Sequence, residues 1–120
     1  MKIGTLAKRS GLSADTLRYY EKVGLLPRAE RDPGGRRAYC AEDLPWIEFL
    51  QKLKATAMPM RRRIDYARLR AQGPATAHER RRILEEHQAD LFRRREEINA
   101  CLVLLDEKIG TYRQMEADRS

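Results

Sequence analysis

From Thr76 to about Arg113 no proline interrupts the chain, and its single glycine, Gly110, falls late. Along this stretch Leu84, Leu91, Ile98, Leu105 and Tyr112 recur every seven residues. Leu102 and Ile109 stand four residues after Ile98 and Leu105, at the second position of a coiled-coil seam. That second position is polar earlier, at Gln88 and Arg95, so the seam is strongest in its C-terminal half. Thr76-x-x-Glu79 has the form of a capping box that would start the helix. About 35 residues at 1.5 Å rise give a helix of roughly 50 Å. No turn allows it to fold back on itself, and the rest of the chain is too small to cover it. Its apolar stripe predicts a partner, most simply the same helix of a second copy.

Gly73-Pro74 marks the expected boundary, with a head over residues 1–72 and the long helix and a short tail over 73–120. The net charge of +7 is unevenly divided. Residues 1–72 hold 16 Lys+Arg against 8 Asp+Glu, or +8, whereas residues 73–120 hold 9 against 10, or −1. A basic head on a neutral stalk suits a polyanion. A membrane-surface or generic RNA-binding patch would share that signature.

Within the head, Ile3–Ser10 reads as a first helix with Ile3, Leu6 and Ala7 on one side, ended by Gly11. Ser13 can cap a second helix that runs to Lys22-Val23 and stops at Gly24. Two helices joined by a short glycine-containing turn have helix-turn-helix spacing. Thr16, Arg18, Tyr19 and Tyr20 place hydrogen-bonding and cationic groups near the start of the second helix, where a DNA groove would be read. One of the two tyrosines is expected in the core, and the spacing does not say which. Leu25-Leu26-Pro27 returns the chain to the core.

Asp32-Pro33-Gly34-Gly35 is strong turn chemistry flanked by arginines. It predicts a small β-hairpin, a wing, with Arg31, Arg36 and Arg37 projecting. A third helix is expected from near Ala41, with Glu42 and Asp43 beside its positive end. Trp46, Ile47, Phe49, Leu50 and Leu53 form its core stripe. Pro59 suits the first turn of a fourth helix that continues to about Ala71. Arg61-Arg62-Arg63 at its start opposes the dipole and is read as serving an external anion.

No apolar run approaches the ~20 residues of a membrane span, and Met1-Lys2-Ile3-Gly4 lacks a signal-peptide core. The two cysteines stand 61 positions apart without a secretory signal, which predicts reduced thiols in the cytoplasm. His78 and His87 pair with no catalytic Ser, Cys or Asp, and there is no phosphate-binding glycine loop. No catalytic residue, metal site or cofactor is expected.

The order of elements and their residues resemble the MerR family of bacterial transcription regulators. The carrying motifs are Ile3-Gly4-x-Leu6-Ala7 and Gly11-x-Ser13-x-x-Thr16-Leu17-Arg18-Tyr19-Tyr20-Glu21-x-x-Gly24-Leu25-Leu26. Gly35-Arg36-Arg37-x-Tyr39 in the wing and Glu42-Asp43-Leu44 complete them, so the match covers about residues 1–70. Details such as Asp43-Leu44-x-Trp46-Ile47-Glu48 and Leu105-Asp106-x-Lys108-Ile109-x-x-Tyr112 are similar to the aldehyde- and thiol-stress subgroup.

The resemblance implies a mainly α fold, with a winged helix-turn-helix head and a long C-terminal helix in an antiparallel coiled-coil dimer. It implies a homodimer on double-stranded promoter DNA whose spacer is too long for RNA polymerase, switched by bending and untwisting that DNA. Ser13, Thr16, Arg18, Tyr19, Tyr20, Arg36, Arg37 and Tyr39 would contact DNA. The seam residues Leu84, Leu91, Ile98, Leu102, Leu105, Ile109 and Tyr112 would form the dimer. The other reading is an architectural nucleic-acid-binding coiled coil without an effector.

The stress subgroup often carries a cysteine in the third helix, and by alignment that place is Lys52 here. Cys40 and Cys101 are the remaining candidate thiol sensors. Cys40 lies just before the third helix, where the helix N-terminus and the nearby Arg36 and Arg37 would favour thiolate. Cys101 adjoins the seam at Leu102, where packing is the simpler role.

Overall fold

The computed structural model describes residues 1–119. Five helices and one two-stranded sheet follow in the order α1 Ile3–Ser10, α2 Ala14–Val23, β1 Glu30–Arg31, β2 Arg37–Ala38, α3 Asp43–Ala55, α4 Met60–Ala71 and α5 Ala77–Asp118. A short 3-10 turn, Pro74–Thr76, precedes α5. The chain divides into two compact units, one of residues 1–83 and one beginning at Leu84.

In the first unit, local chemistry sets the ends of α1 and α2. The Gly11 N–H donates to the Ala7 carbonyl at 3.0 Å and closes α1. The Ser13 side chain accepts from the Thr16 N–H at 3.1 Å, as a cap should. Gly24 ends α2 at φ +91°, a left-handed conformation that suits residues without Cβ. Leu25 and Leu26 then turn inward with Leu6, Leu17, Ile47 and Leu50, and these six are the fully buried core. Each such side chain contributes about 1.5–3 kcal/mol by leaving water. Trp46 on α3 donates its indole N–H to the Leu25 carbonyl at 2.8 Å, tying α3 to the segment after α2.

The helix starts and the core depart from expectation in several places. α3 begins at Asp43 rather than near Ala41, because the Asp43 carboxylate accepts from the Cys40 N–H at 2.9 Å and Cys40–Glu42 form the turn ahead of it. Phe49 is 37% exposed and lies outside the core, although its ring sits 5.9 Å from Tyr66 and 6.3 Å from Trp46. Arg63 is not offered to an external anion. It is 7% exposed, and its Nε donates to the Met58 carbonyl at 3.1 Å. The α3–α4 turn passes through Ala57 at φ +65°. That sharp turn needs a donor for Met58, and Arg63 supplies it.

The capping box before α5 does not form. Thr76 Oγ1 faces back toward the Leu69 and Gly73 carbonyls, at 2.6 and 3.0 Å, instead of forward to Glu79. Arg80 completes the junction, with Nε donating to Thr76 Oγ1 at 3.1 Å and Nη2 to the Gly73 carbonyl at 3.2 Å. α5 starts at Ala77 and runs 42 residues, through Gly110, to Asp118. At 1.5 Å per residue that is about 60 Å, longer than the expected span. Ile83, which belongs to no seam position, is buried within the first unit.

In the second unit α5 is a single helix whose C-terminal half carries many exposed apolar side chains. Ile98, Leu102, Val103, Leu104, Leu105, Ile109, Tyr112 and Met115 are all 47–62% exposed. Leu84 and Leu91 are half-buried. No described helix is long and apolar enough to cross a membrane.

Candidate nucleic-acid interface

The wing is built by one carboxylate. Asp32 Oδ1 accepts from the N–H groups of Gly34 and Arg36, each at 2.9 Å, and the Gly35 N–H donates to the Asp32 carbonyl. Gly35 sits at φ +79°, which a Cβ would strain. Beyond this turn Arg31 pairs with Arg37 and Glu30 with Ala38 in an antiparallel ribbon. Tyr39 extends the wing by donating its N–H to the Met1 carbonyl at 2.7 Å.

A cleft of about 700 Å³ lies among Lys2, Ile3, Gly4, Thr5, Lys8 and Arg9 of the α1 region, Arg18 of α2, and Arg31 and Gly35–Arg37 of the wing. Among the described residues six cationic side chains besides Arg37 line it, and no carboxylate does. A second cleft, of about 550 Å³, lies between α2 and the wing and shares Arg18, Arg31 and Arg37. Its one acidic residue is Glu21. Concave walls of one charge sign concentrate a polyanion at the surface between them.

The structure separates the candidate contacts. Ser13 and Arg18 are exposed, and Tyr19 is 50% exposed. Thr16 is half-buried, and its Oγ1 accepts from Ser13 Oγ at 2.9 Å, leaving its own O–H to donate elsewhere. Arg18 Nη1 meets Asp15 Oδ1 at 2.9 Å, an exposed pair of small energetic weight. Arg36 is exposed at the wing tip. Arg37 is half-buried, and its Nε meets Glu21 Oε2 at 3.1 Å.

Tyr20 and Tyr39 leave the exposed face. Tyr20 is 6% exposed because α2 turns its ring into the core beside Leu17, so Tyr19 is the outward member of the pair. Tyr39 is 4% exposed, and its buried hydroxyl has no hydrogen-bond partner of good geometry. Desolvation, and then the negative charge of Glu21, push this phenol up to about 12.

Five residues with polar side chains that line the wide cleft were absent from the expected contact set: Lys2, Thr5, Lys8, Arg9 and Arg31, the last expected only to project from the wing. Lys8 and Arg9 carried a readable signal as adjacent cations, but one that equally fits the favourable C-terminal end of α1. Cys40 and Cys101 are both exposed free thiols. Cys40 is not the cap of α3, since Glu42 occupies that place. Among the described residues no group of three His, Cys, Asp or Glu is arranged to hold a metal.

A helix-turn-helix with a basic wing, joined to a long helix with an apolar stripe, defines a class of transcription regulators rather than enzymes. The description "MerR family regulatory protein" matches residues 2–39. The chain is 39% identical over 92 residues to the HTH-type transcriptional regulator AdhR of Bacillus subtilis, spanning 77% of this chain and 66% of that protein. It is 35% identical over 111 residues to an HTH-type transcriptional regulator of Haemophilus influenzae, spanning 92% and 82%. A MerR family regulator from Listeria monocytogenes superposes with TM-score 0.84 at 36% identity, covering 93% of this chain and 85% of that one. HiNmlR, described as a MerR family regulator lacking the sensor domain and bound to promoter DNA, gives 0.82 at 34% identity, covering 97% and 92%. The chain belongs to the MerR family.

Proposed function

We propose that this chain is a homodimeric, sequence-specific promoter-binding regulator. α2 enters the major groove, and the wing grips the flanking backbone. The observation that carries this reading is the carboxylate-free cleft in which α1, α2 and the wing bring their cations together. Arg18 and Arg36, which line that cleft, and the exposed Tyr19 beside Arg18 in α2 are the DNA contacts, supported by Ser13 and Thr16 at the helix start. HiNmlR, so similar in fold and sequence, is a promoter-bound regulator, which supports carrying the activity over.

The apolar stripe of α5 supports the dimer. Ile98, Leu102, Leu105, Ile109 and Tyr112, at about half exposure and sharing one face of the helix, form a larger patch than a solvated monomer ordinarily keeps. Antiparallel pairing of two such helices would set two heads on successive faces of a near-palindromic site. The mechanism we assign is bending and untwisting of a promoter with an overlong spacer, so that RNA polymerase engages both of its elements. Cys40, exposed beside the end of the wing, is the thiol best placed for an electrophile to alter these contacts.

The test is enrichment of one sequence from random duplex DNA by the full chain, followed by footprinting in rising salt. A regulator keeps a protected dyad at salt that strips nonspecific binding. Protection that spreads over all sequences and collapses with salt would instead support an architectural protein. Insertion of the selected dyad between promoter elements, with bending read by fluorescence transfer between labelled ends, tests the switch.

A further inference from the structure

Glu21 is the one acidic residue lining the two basic clefts, and it is turned inward. Its side chain is 6% exposed. Both of its oxygens are engaged, one with each strand side of the hairpin's base. Oε1 accepts from the Ala29 N–H at 2.9 Å, one residue before β1. Oε2 meets Nε of Arg37, on β2, at 3.1 Å. One carboxylate on α2 therefore holds both strands of the hairpin.

The arginine it holds is only partly consumed. A guanidinium has five N–H donors in a planar fork, and the contact to Glu21 uses Nε. The Arg37 side chain remains 35% exposed and lines both clefts beside Arg18 and Arg31. A long side chain loses much rotamer freedom when it is clamped, and here Glu21 removes that freedom before any ligand arrives.

We infer that Glu21 is a positioning residue, a buried carboxylate that holds Arg37 so that the outer edge of its guanidinium receives a phosphate of the DNA backbone. The inference rests on the promoter-binding reading above. It opposes the simple electrostatic expectation. Removing a negative charge from a DNA-facing surface should tighten binding, whereas removing this one loosens it.

The experiment uses the full chain and a duplex that the wild type enriches from random double-stranded DNA. Affinity is measured across a salt series for wild type, Glu21→Gln, Arg37→Ala and the double variant, with helicity and thermal melting confirming the fold. Glu21→Gln is expected to weaken binding about tenfold and to lower the salt slope by about one ion, as Arg37→Ala does. In the Arg37→Ala background Glu21→Gln should cost nothing further. Unchanged or tighter binding by Glu21→Gln overturns the proposal, and so does an equal loss in both backgrounds. A wild-type protein that enriches no duplex overturns the promoter-binding reading itself, and this inference with it.

Discussion

Trp46 Nε1 lies 2.8 Å from the Leu25 carbonyl oxygen, in a buried hydrogen bond between α3 and the segment that follows α2. The same indole stacks on Tyr66 at 5.8 Å and lies under the Arg70 guanidinium at 4.2 Å. One ring therefore connects the segment after α2 with α3 and α4. Trp46→Phe keeps an aromatic ring but strands the Leu25 carbonyl. It should destabilise the protein by about 2–3 kcal/mol. Urea unfolding checks this, and a midpoint unchanged from wild type would remove the bond from any structural role.

The buried Tyr39 hydroxyl makes stability depend on alkaline pH. Its value rises from 10.0 to about 12 on folding, so the folded protein holds this proton more tightly than the unfolded chain. That contribution is complete below pH 10 and is lost as pH rises from 10 to about 12. Tyr39→Phe should flatten the fall in stability over that window relative to wild type. Near neutral pH its effect on stability should be small, because the hydroxyl it removes meets only the Glu21 carboxylate, without a well-aligned hydrogen bond. DNA binding should be unaffected, which separates Tyr39 from the exposed contacts.

Arg18 projects from α2 into both basic clefts. Arg18→Ala should weaken binding to the enriched duplex about tenfold while leaving the sedimenting species unchanged. Its pair with exposed Asp15 contributes little, so the melting temperature should stay close to that of wild type. A loss of dimer together with the loss of DNA binding would mean that Arg18 acts on assembly instead.

Pairing of α5 predicts a pattern of crosslinks. In a background with Cys40→Ser and Cys101→Ser, cysteine is placed singly at Ile98, Leu105 or Tyr112. In an antiparallel pair, only a seam residue near the two-fold axis faces its own copy. At most one of the three should therefore oxidise to a crosslinked dimer on a nonreducing gel while the others stay monomeric. Efficient crosslinking at all three would indicate parallel helices.

The elements most visible in the sequence were those whose signals are local. Gly11, Ser13 and Gly24 mark the ends of α1 and α2 because capping depends on near neighbours. Asp32 and Gly35 mark the wing for the same reason. What escaped depends on distant partners. Arg63 looks like a surface cation until the Met58 carbonyl needs it. Thr76 reads as a forward cap until the end of α4 claims its hydroxyl. Tyr19 and Tyr20 are chemically equivalent in the sequence, and only the rotation of α2 against the core separates them. Glu21 carried no distinguishing local pattern, since its partners at Ala29 and Arg37 come from either side of the hairpin.

The Asp32 turn has a thermodynamic consequence for association. With the Gly34 and Arg36 N–H groups already bonded to its side chain, the loop is a mould cast before the object arrives. A loop that orders only on contact with DNA adds a negative heat-capacity change and an entropic debit to the binding signature. A loop closed by its own carboxylate moves that ordering into folding. The temperature dependence of binding should then report the helix, the seam and the DNA, while the hairpin stays silent.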